Sequence, residues 1–302
     1  MANITAKDVA ALRERTGSGM MDCKKALVEA DGDQEKAIVI LREKGLAAVA
    51  KKAGRIAAEG LVISKTSGNI GVVLEINSET DFVAKNDDFR SFVETVADTI
   101  IEKNPTDVDA LKECVASGSD VTVNELLIGK ISTIGENIQI RRFVRREGVL
   151  VSYVHGEGKI GVLVELDTDL SADNADVNTC GKDVALQITA LNPLYLGKED
   201  IPDEAIENEK EVQKQIAIKE GKPENIAMKI VQGRMSKFYN EVCLLEQSFV
   251  KDDEITVGKY VASVASKLGG KLSVKGFTRY EKGEGLQKRE DNFADEVAGM
   301  IK

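Results

Sequence analysis

Apolar residues in the first 45 positions recur at helical spacing in three short groups, separated by turn-forming residues. The first group runs from about Thr5 to Arg15, with Thr5 placed to cap it and Thr16-Gly17-Ser18-Gly19 to end it. The second starts near Asp22, sets Cys23, Ala26, Leu27 and Ala30 on one face, and breaks at Asp31-Gly32-Asp33. The third carries Ala37, Ile38 and Leu41 and is expected to stop at Gly45. Three helices this short predict a compact bundle too small to enclose an active site, and so a recognition module. Residues 46–59, rich in Lys, Arg and Ala, read as a helical tether.

The pattern then changes to strands, and it repeats. Residues 70–76 read Ile-Gly-Val-Val-Leu-Glu-Ile, and residues 160–166 read Ile-Gly-Val-Leu-Val-Glu-Leu. Four of the seven positions are identical at an offset of 90, and the other three exchange one apolar residue for another. Each copy has a preceding strand (Leu61–Thr66 and Val149–Val154) and a turn (Ser67-Gly68-Asn69 and His155-Gly156-Glu157-Gly158). Each is followed by a helical face: Phe89, Phe92, Val93, Val96, Ala97 and Ile100 in one, Val177, Cys180, Val184, Ile188 and Leu191 in the other. A duplicated hairpin-plus-helix unit predicts an α+β core, with helices packed on antiparallel sheets.

Between the copies, Val108–Ala116 and Asn124–Lys130 read as helices, and Asn137–Arg146 alternates polar and apolar like a half-buried strand. After the second copy, Asp203–Glu220 is a charged helix closed by Gly221-Lys222-Pro223. Asn225–Tyr239 returns as a second helix, with Ile226, Ile230, Met235 and Phe238 near one face. Such a pair predicts an antiparallel helical hairpin. Strand-like sequence resumes at Val242–Val250 and Lys271–Tyr280, and a last helix is expected over Asn292–Ile301. The chain thus divides into a three-helix module with its tether (1–55), a first core copy (56–148), a second copy in two pieces (149–192 and 241–279), an inserted hairpin (193–240) and a C-terminal module (280–302).

Composition narrows the function. The net charge is -10, which opposes nucleic acid as the main partner. Residues 1–55 hold eleven Lys/Arg against eight Asp/Glu, so the head is slightly basic on an acidic body. That asymmetry suits docking on an acidic protein surface, or reflects only the exposed faces of short helices. The four cysteines, Cys23, Cys114, Cys180 and Cys243, form no CxxC pair. No secretory leader or membrane-length apolar run is read, so a cytoplasmic protein with free thiols is expected. With one histidine and no tryptophan, a histidine triad or a base-stacking platform has little to build on.

Few residues invite chemistry. Glu79, Asp81, Asp87 and Asp88 form an acidic cluster that could hold a metal in a hydrolase, although Asp87 and Asp88 read more simply as first-turn helix residues. Arg141, Arg142, Arg145 and Arg146 would suit an RNA-binding adaptor, but alternate arginines on an exposed sheet face are the commoner arrangement. No phosphate-binding glycine loop is present and no cofactor is expected. Thr80-Asp81-Phe82-Val83 lies where a strand ends and a helix begins. Phe82 there is either a probe for another protein's pocket or a staple fixing the helix entry to the core, and the staple is the simpler reading.

The segments Thr80–Asn86, Arg13–Leu27, Ile134–Arg142, Tyr153–Gly156 and Gly233–Phe238 resemble the motifs of the bacterial elongation factor Ts family. They occur in order and span almost the whole chain. Ser18 stands where alanine is frequent in that family. The resemblance implies that the N-terminal module is ubiquitin-associated-like. It implies a non-enzymatic guanine-nucleotide exchange factor acting on the GDP form of elongation factor Tu during translation elongation. Thr80, Asp81, Phe82 and Val83 would disturb the partner's Mg²⁺ site, while Lys24, Ile134, Gly135 and His155 would add contacts. The last helix would brace the GTPase. Some members of the family form homodimers through the hairpin. Contacts with membrane or nucleic acid are not expected.

Overall fold

The computed structural model describes residues 4–287, so the helix expected over 292–301 lies outside them. Thr5 caps α1 (Ala6–Thr16): its hydroxyl accepts from Asp8 N–H while the Asp8 carboxylate accepts from Thr5 N–H. The second helix, α2 (Met20–Glu29), begins two residues before Asp22, and its buried face is Cys23, Ala26 and Leu27. Asp33 then caps α3 (Gln34–Lys52). This helix does not stop at Gly45. It runs through that glycine because a neighbouring helix packs there: a Cβ on Gly45 would come within 2.4 Å of Ile128. The expected tether is therefore helical only to Lys52.

Two strands, β1 (Glu59–Ser67) and β2 (Ile70–Ser78), form the first hairpin. A single turn, α4 (Asp81–Ala84), leads to α5 (Asp87–Lys103), followed by α6 (Val108–Glu113) and α7 (Val123–Ile134). The next strand, β3 (Gln139–Glu147), completes a sheet in the order β1-β2-β3. The second copy supplies β4 (Val149–His155), β5 (Ile160–Thr168) and α8 (Ala175–Leu191). The helical hairpin is α9 (Asp203–Lys219) and α10 (Glu224–Val242). After it come β6 (Ser248–Phe249), β7 (Asp252–Thr256), α11 (Val257–Leu268) and β8 (Leu272–Glu281), which completes a sheet in the order β4-β5-β8.

Three expectations need correction here. Val242–Val250 is mostly a helix end and a short turn, with only Ser248–Phe249 paired as strand. Residues 257–268, which carry no expected element, form α11 and bury Val257 and Val261 against the second sheet. The inward face of α10 is Ala227, Val231 and Met235, whereas Ile226 is exposed. Helical phase admitted both faces, and α9 selected one of them.

The duplication is deeper than a hairpin and a helix. Asn86 and Asn174 each accept two backbone N–H bonds at the start of α5 and α8, and Asn104 and Asn192 end them in left-handed backbone. Both central strands bulge after their glutamate, between Glu75 and Ile76 and between Glu165 and Leu166. The third strands match as well. Val72 faces Arg145 and Val162 faces Arg279, and these arginines pair with Glu147 at 2.6 Å and Glu281 at 2.7 Å. An offset of 90 cannot find this relation, because the hairpin and α11 intervene before β8.

The two sheets stack face to face, with their helices outside. Val62, Val73 and Leu163 are fully buried between them. Val72, Leu74 and Ile76 point the other way, onto Phe89, Phe92 and Ile100 of α5. The central strands are buried on both faces, which is why the repeat reads as a continuous apolar run and not as an alternation. Its second residue is glycine for a steric reason. A Cβ on Gly71 would come within 2.8 Å of Leu150 and Leu163, and one on Gly161 within 2.6 Å of Val62. The stacking is bridged by Val62 N–H to Gly158 O at 2.8 Å and by the Ser64 hydroxyl to Val162 O at 2.8 Å.

The arginines of β3 do not share one exposed face: Arg141, Arg142 and Arg145 are half-buried, and Arg146 is exposed. Arg141 and Arg142 converge on Glu75, which is fully buried, at 2.9 and 2.6 Å. Glu75 also accepts from Asn77 Nδ2 at 3.2 Å and from Gly283 N–H at 2.8 Å. The Arg142 guanidinium lies 4.0 Å from the Tyr280 ring centre, so the second sheet covers this side of β3. Gly161→Ala should lower the unfolding free energy by about 2 kcal/mol through overpacking between the sheets. A urea titration should show the shifted midpoint, with the slope unchanged.

Candidate functional site

Ser78 ends β2, and its hydroxyl donates to Thr80 O at 3.0 Å. Thr80 is extended and precedes the single turn of α4. Val83 and Ala84 face the core, whereas Phe82 is 79% exposed. The staple reading therefore fails: Val83, Ala84 and Phe89 anchor the entry to α5, and the Phe82 ring stands in solvent. Beside it, Lys85 Nζ donates to the Asp81 carboxylate at 2.8 Å and lies 6.0 Å from the Phe82 ring centre. The hydrogen bond from Lys85 holds the Asp81 carboxyl below its ordinary range, and Asp81 in turn raises Lys85. Both groups are exposed, so the pair adds little stability, but it gives the tip two fixed charges around an aromatic ring.

Residues from the end of α7 hold this tip. Glu136 follows Gly135, which ends α7 in left-handed backbone at φ 85°. Its carboxylate accepts from Glu79 N–H, Thr80 N–H and the Thr80 hydroxyl at 3.0, 3.0 and 2.6 Å. Glu79 answers by accepting from Asn137 N–H at 2.6 Å and pairing with Arg55 at 3.3 Å. Half-buried Ile134 and exposed Gly135 are thereby brought beside Thr80.

The β4–β5 turn lies on the same side. Lys85 feels the charge of Glu157, and Asp81 that of Lys282. Gly158 is pressed against β1, where a Cβ would come within 2.5 Å of Leu61. His155 sits exposed at the start of this turn, with its Nδ1 3.0 Å from the Tyr153 hydroxyl. Lys24 is not part of this cluster. It is exposed on α2 among Met20, Met21 and Val28, which are 56%, 62% and 60% exposed. Its module meets the core through α7, where the Thr133 hydroxyl donates to Gly17 O at 3.5 Å.

The acidic cluster is spent on structure. Glu79 is engaged as described, Asp81 pairs with Lys85, and Asp87 and Asp88 occupy the first turn of α5. Among the described residues, no three His, Cys, Asp or Glu side chains are grouped to hold a metal ion. Burial pushes the Cys180 thiol up to about 12, far from a reactive thiolate. No described helix is long and apolar enough to cross a membrane. What the geometry offers is a contact surface: an exposed aromatic on a braced turn, a neighbouring polar turn, and a separate apolar patch around Lys24.

A family model described as Elongation factor TS matches residues 79–284, which include the tip, the β4–β5 turn and the hairpin. The Elongation factor Ts of Syntrophotalea carbinolica is 49% identical over 302 residues, covering 99% of both chains. That of Clostridium kluyveri is 50% identical over 304 residues, again with 99% of both covered. That of Clostridioides difficile is 50% identical over 307 residues, with both chains fully covered. The chain belongs to the elongation factor Ts family.

Within that family frame, sequence reasoning named Thr80–Val83, Ile134, Gly135 and His155 but missed Glu136, Glu79 and Arg55 as the brace beneath them. Glu136 stood inside a noticed motif, yet nothing local says that its carboxylate reaches residues 79 and 80. Phe82→Ala should change the unfolding free energy by no more than about 0.5 kcal/mol, because the ring is largely exposed and lies outside the core. Val83→Ala should cost about 1 kcal/mol or more through lost burial. Paired denaturation curves of the two variants check the contrast.

Proposed function

We propose that the chain is a guanine-nucleotide exchange factor, binding elongation factor Tu in its GDP form and promoting GDP release during translation elongation. Family membership supports this, and the observation that carries it is the exposed Phe82 on a turn braced by Glu136. In this reading Asp81 and Phe82 enter the GTPase near its Mg²⁺ and phosphate groups, while half-buried Thr80 and buried Val83 hold the turn that presents them. His155, Ile134 and Gly135 widen that contact, and Lys24 with Met20, Met21 and Val28 grips a second area.

The thermodynamics require no catalytic group in the chain. A GTPase holds its nucleotide largely through phosphate and Mg²⁺ contacts. A partner that favours a conformation with those contacts broken weakens nucleotide binding, and nucleotide weakens the partner by the same factor. The chain lowers the barrier to release, and concentration decides which nucleotide rebinds. An enzyme's acid, base or nucleophile is not called for.

The same proposal includes the division at 1–55, 56–148, 149–192 with 241–279, 193–240 and 280–302, and a cytoplasmic site of action. The α9–α10 hairpin keeps Val212, Ile216, Ile218, Ile226 and Met228 between 39% and 58% exposed, and is the face on which a homodimer would form. Nucleic acid is not expected as a partner, since the chain is acidic and the β3 arginines are engaged by glutamates.

Release of a fluorescent GDP analogue from elongation factor Tu, with excess unlabelled GDP and a substoichiometric amount of this chain, tests the reading. Faster release with turnover is expected, and Phe82→Ala should slow it roughly tenfold or more, as loss of an aromatic hot spot does. Release at the unassisted rate, with folded chain and competent partner, would overturn the proposal.

A further inference from the structure

We infer that Glu136 is the positioning residue that aims Phe82, acting through the backbone of residues 79 and 80 and not through a contact of its own with the partner. The inference rests on the exchange reading above. A helix of four residues cannot hold itself, because one turn does not repay the cost of nucleation. The turn also lacks the usual local cap: Thr80 stands at the N-cap position, but its side chain makes no capping bond. Its hydroxyl donates to Glu136 instead, and the same carboxylate takes the two N–H groups leading into the turn. Direction is therefore imposed on α4 from 56 residues away in the chain.

The brace is reciprocal, which makes it stiff. Glu136 holds the backbone of Glu79, and the Glu79 carboxylate holds the backbone of Asn137. Asn137 Nδ2 donates to Arg55 O at 2.8 Å, and Arg55 pairs with Glu79, closing a ring of three segments. Hydrogen bonds to a carboxylate are about twice as strong as neutral ones. Behind Glu136 stands α7, whose last turn is closed by Gly135 N–H to Ile131 O at 3.0 Å. The opposite face of α7 receives the N-terminal module at Gly17 and Gly45. The helix thus joins the apolar patch around Lys24 to the aromatic tip. Without Glu136, Phe82 would still be exposed but would have to be ordered at the moment of docking, which weakens the productive contact.

The test uses the full-length chain as wild type, Phe82→Ala, Glu136→Ala, Glu136→Gln and the Phe82→Ala/Glu136→Ala double variant. Release of the GDP analogue from elongation factor Tu is followed over a range of chain concentrations, with a circular-dichroism melt of each variant. Glu136→Ala is expected to lower the maximal rate about tenfold, the loss of roughly one charge-assisted hydrogen bond, with a smaller change in half-saturating concentration. Glu136→Gln keeps an oxygen for both N–H groups and should recover most of the rate. In the Phe82→Ala background, Glu136→Ala should add less than about twofold, since no ring is left to aim. A Glu136→Ala rate equal to wild type would overturn the inference, as would losses that multiply with Phe82→Ala. If Glu136→Ala unfolds at the assay temperature, Glu136→Asp, which draws the carboxylate back from both N–H groups by one methylene, takes its place in the same coupling with Phe82→Ala. Should wild type itself fail to speed release, the exchange reading falls and takes this inference with it. Wild-type activity with a Phe82 effect but no Glu136 effect counts against the inference alone.

Discussion

The stacking of two three-stranded sheets is the constraint on which the rest of the molecule depends. Neither central strand can be solvated on either face, because β2 and β5 carry apolar residues in both directions. Each sheet therefore needs helices on one side and the other sheet on its second side. The approach is close enough that glycine is required at the equivalent positions 71 and 161. Fully burying a residue such as Leu163 contributes roughly 1.5–3 kcal/mol, so the small core between the sheets rivals any polar contact across the same interface.

The ionic hub around Glu75 serves a different end. Removing a carboxylate from water is costly, and its attraction to Arg141 and Arg142 does little more than offset that cost. Its value is geometric. Four groups from β2, β3 and the turn after β8 must meet one buried side chain, and only one relative placement of those segments satisfies them. The Glu136 brace repeats this logic at the surface, where it fixes one short turn. In both cases carboxylates specify position while apolar burial supplies stability.

The proposed exchange role draws on that division. An exposed phenylalanine forgoes the stabilisation that burial would bring, and here it stands on a turn whose neighbours Val83 and Ala84 are buried. The scaffold bears that loss because its two large cores lie elsewhere, on α5 and α8. A rigid aromatic on a fixed mount loses little entropy on entering a pocket, and such preorganisation lets binding free energy reach the partner's nucleotide site.

Much of the fold was legible in the chain. Thr5, Asp33, Asn86 and Asn174 start helices by local hydrogen bonds, and the repeat at 70 and 160 is written in contiguous residues. The candidate surface was legible too, through motifs shared with a family. What lay beyond the sequence depends on partners distant in the chain. Gly45 reads as a helix stop until Ile128 is seen against it, and Arg141 and Arg142 read as exposed until Glu75 and Tyr280 are seen beside them. Phe82 reads as a staple until its ring is found in solvent. Local hydrogen bonding and side-chain period act within a few residues, so the sequence by itself determined where elements begin and which strands repeat. Burial and long-range pairing are properties of the assembled chain, so only the tertiary structure decided which face is inside, which charges are already engaged, and what holds the tip.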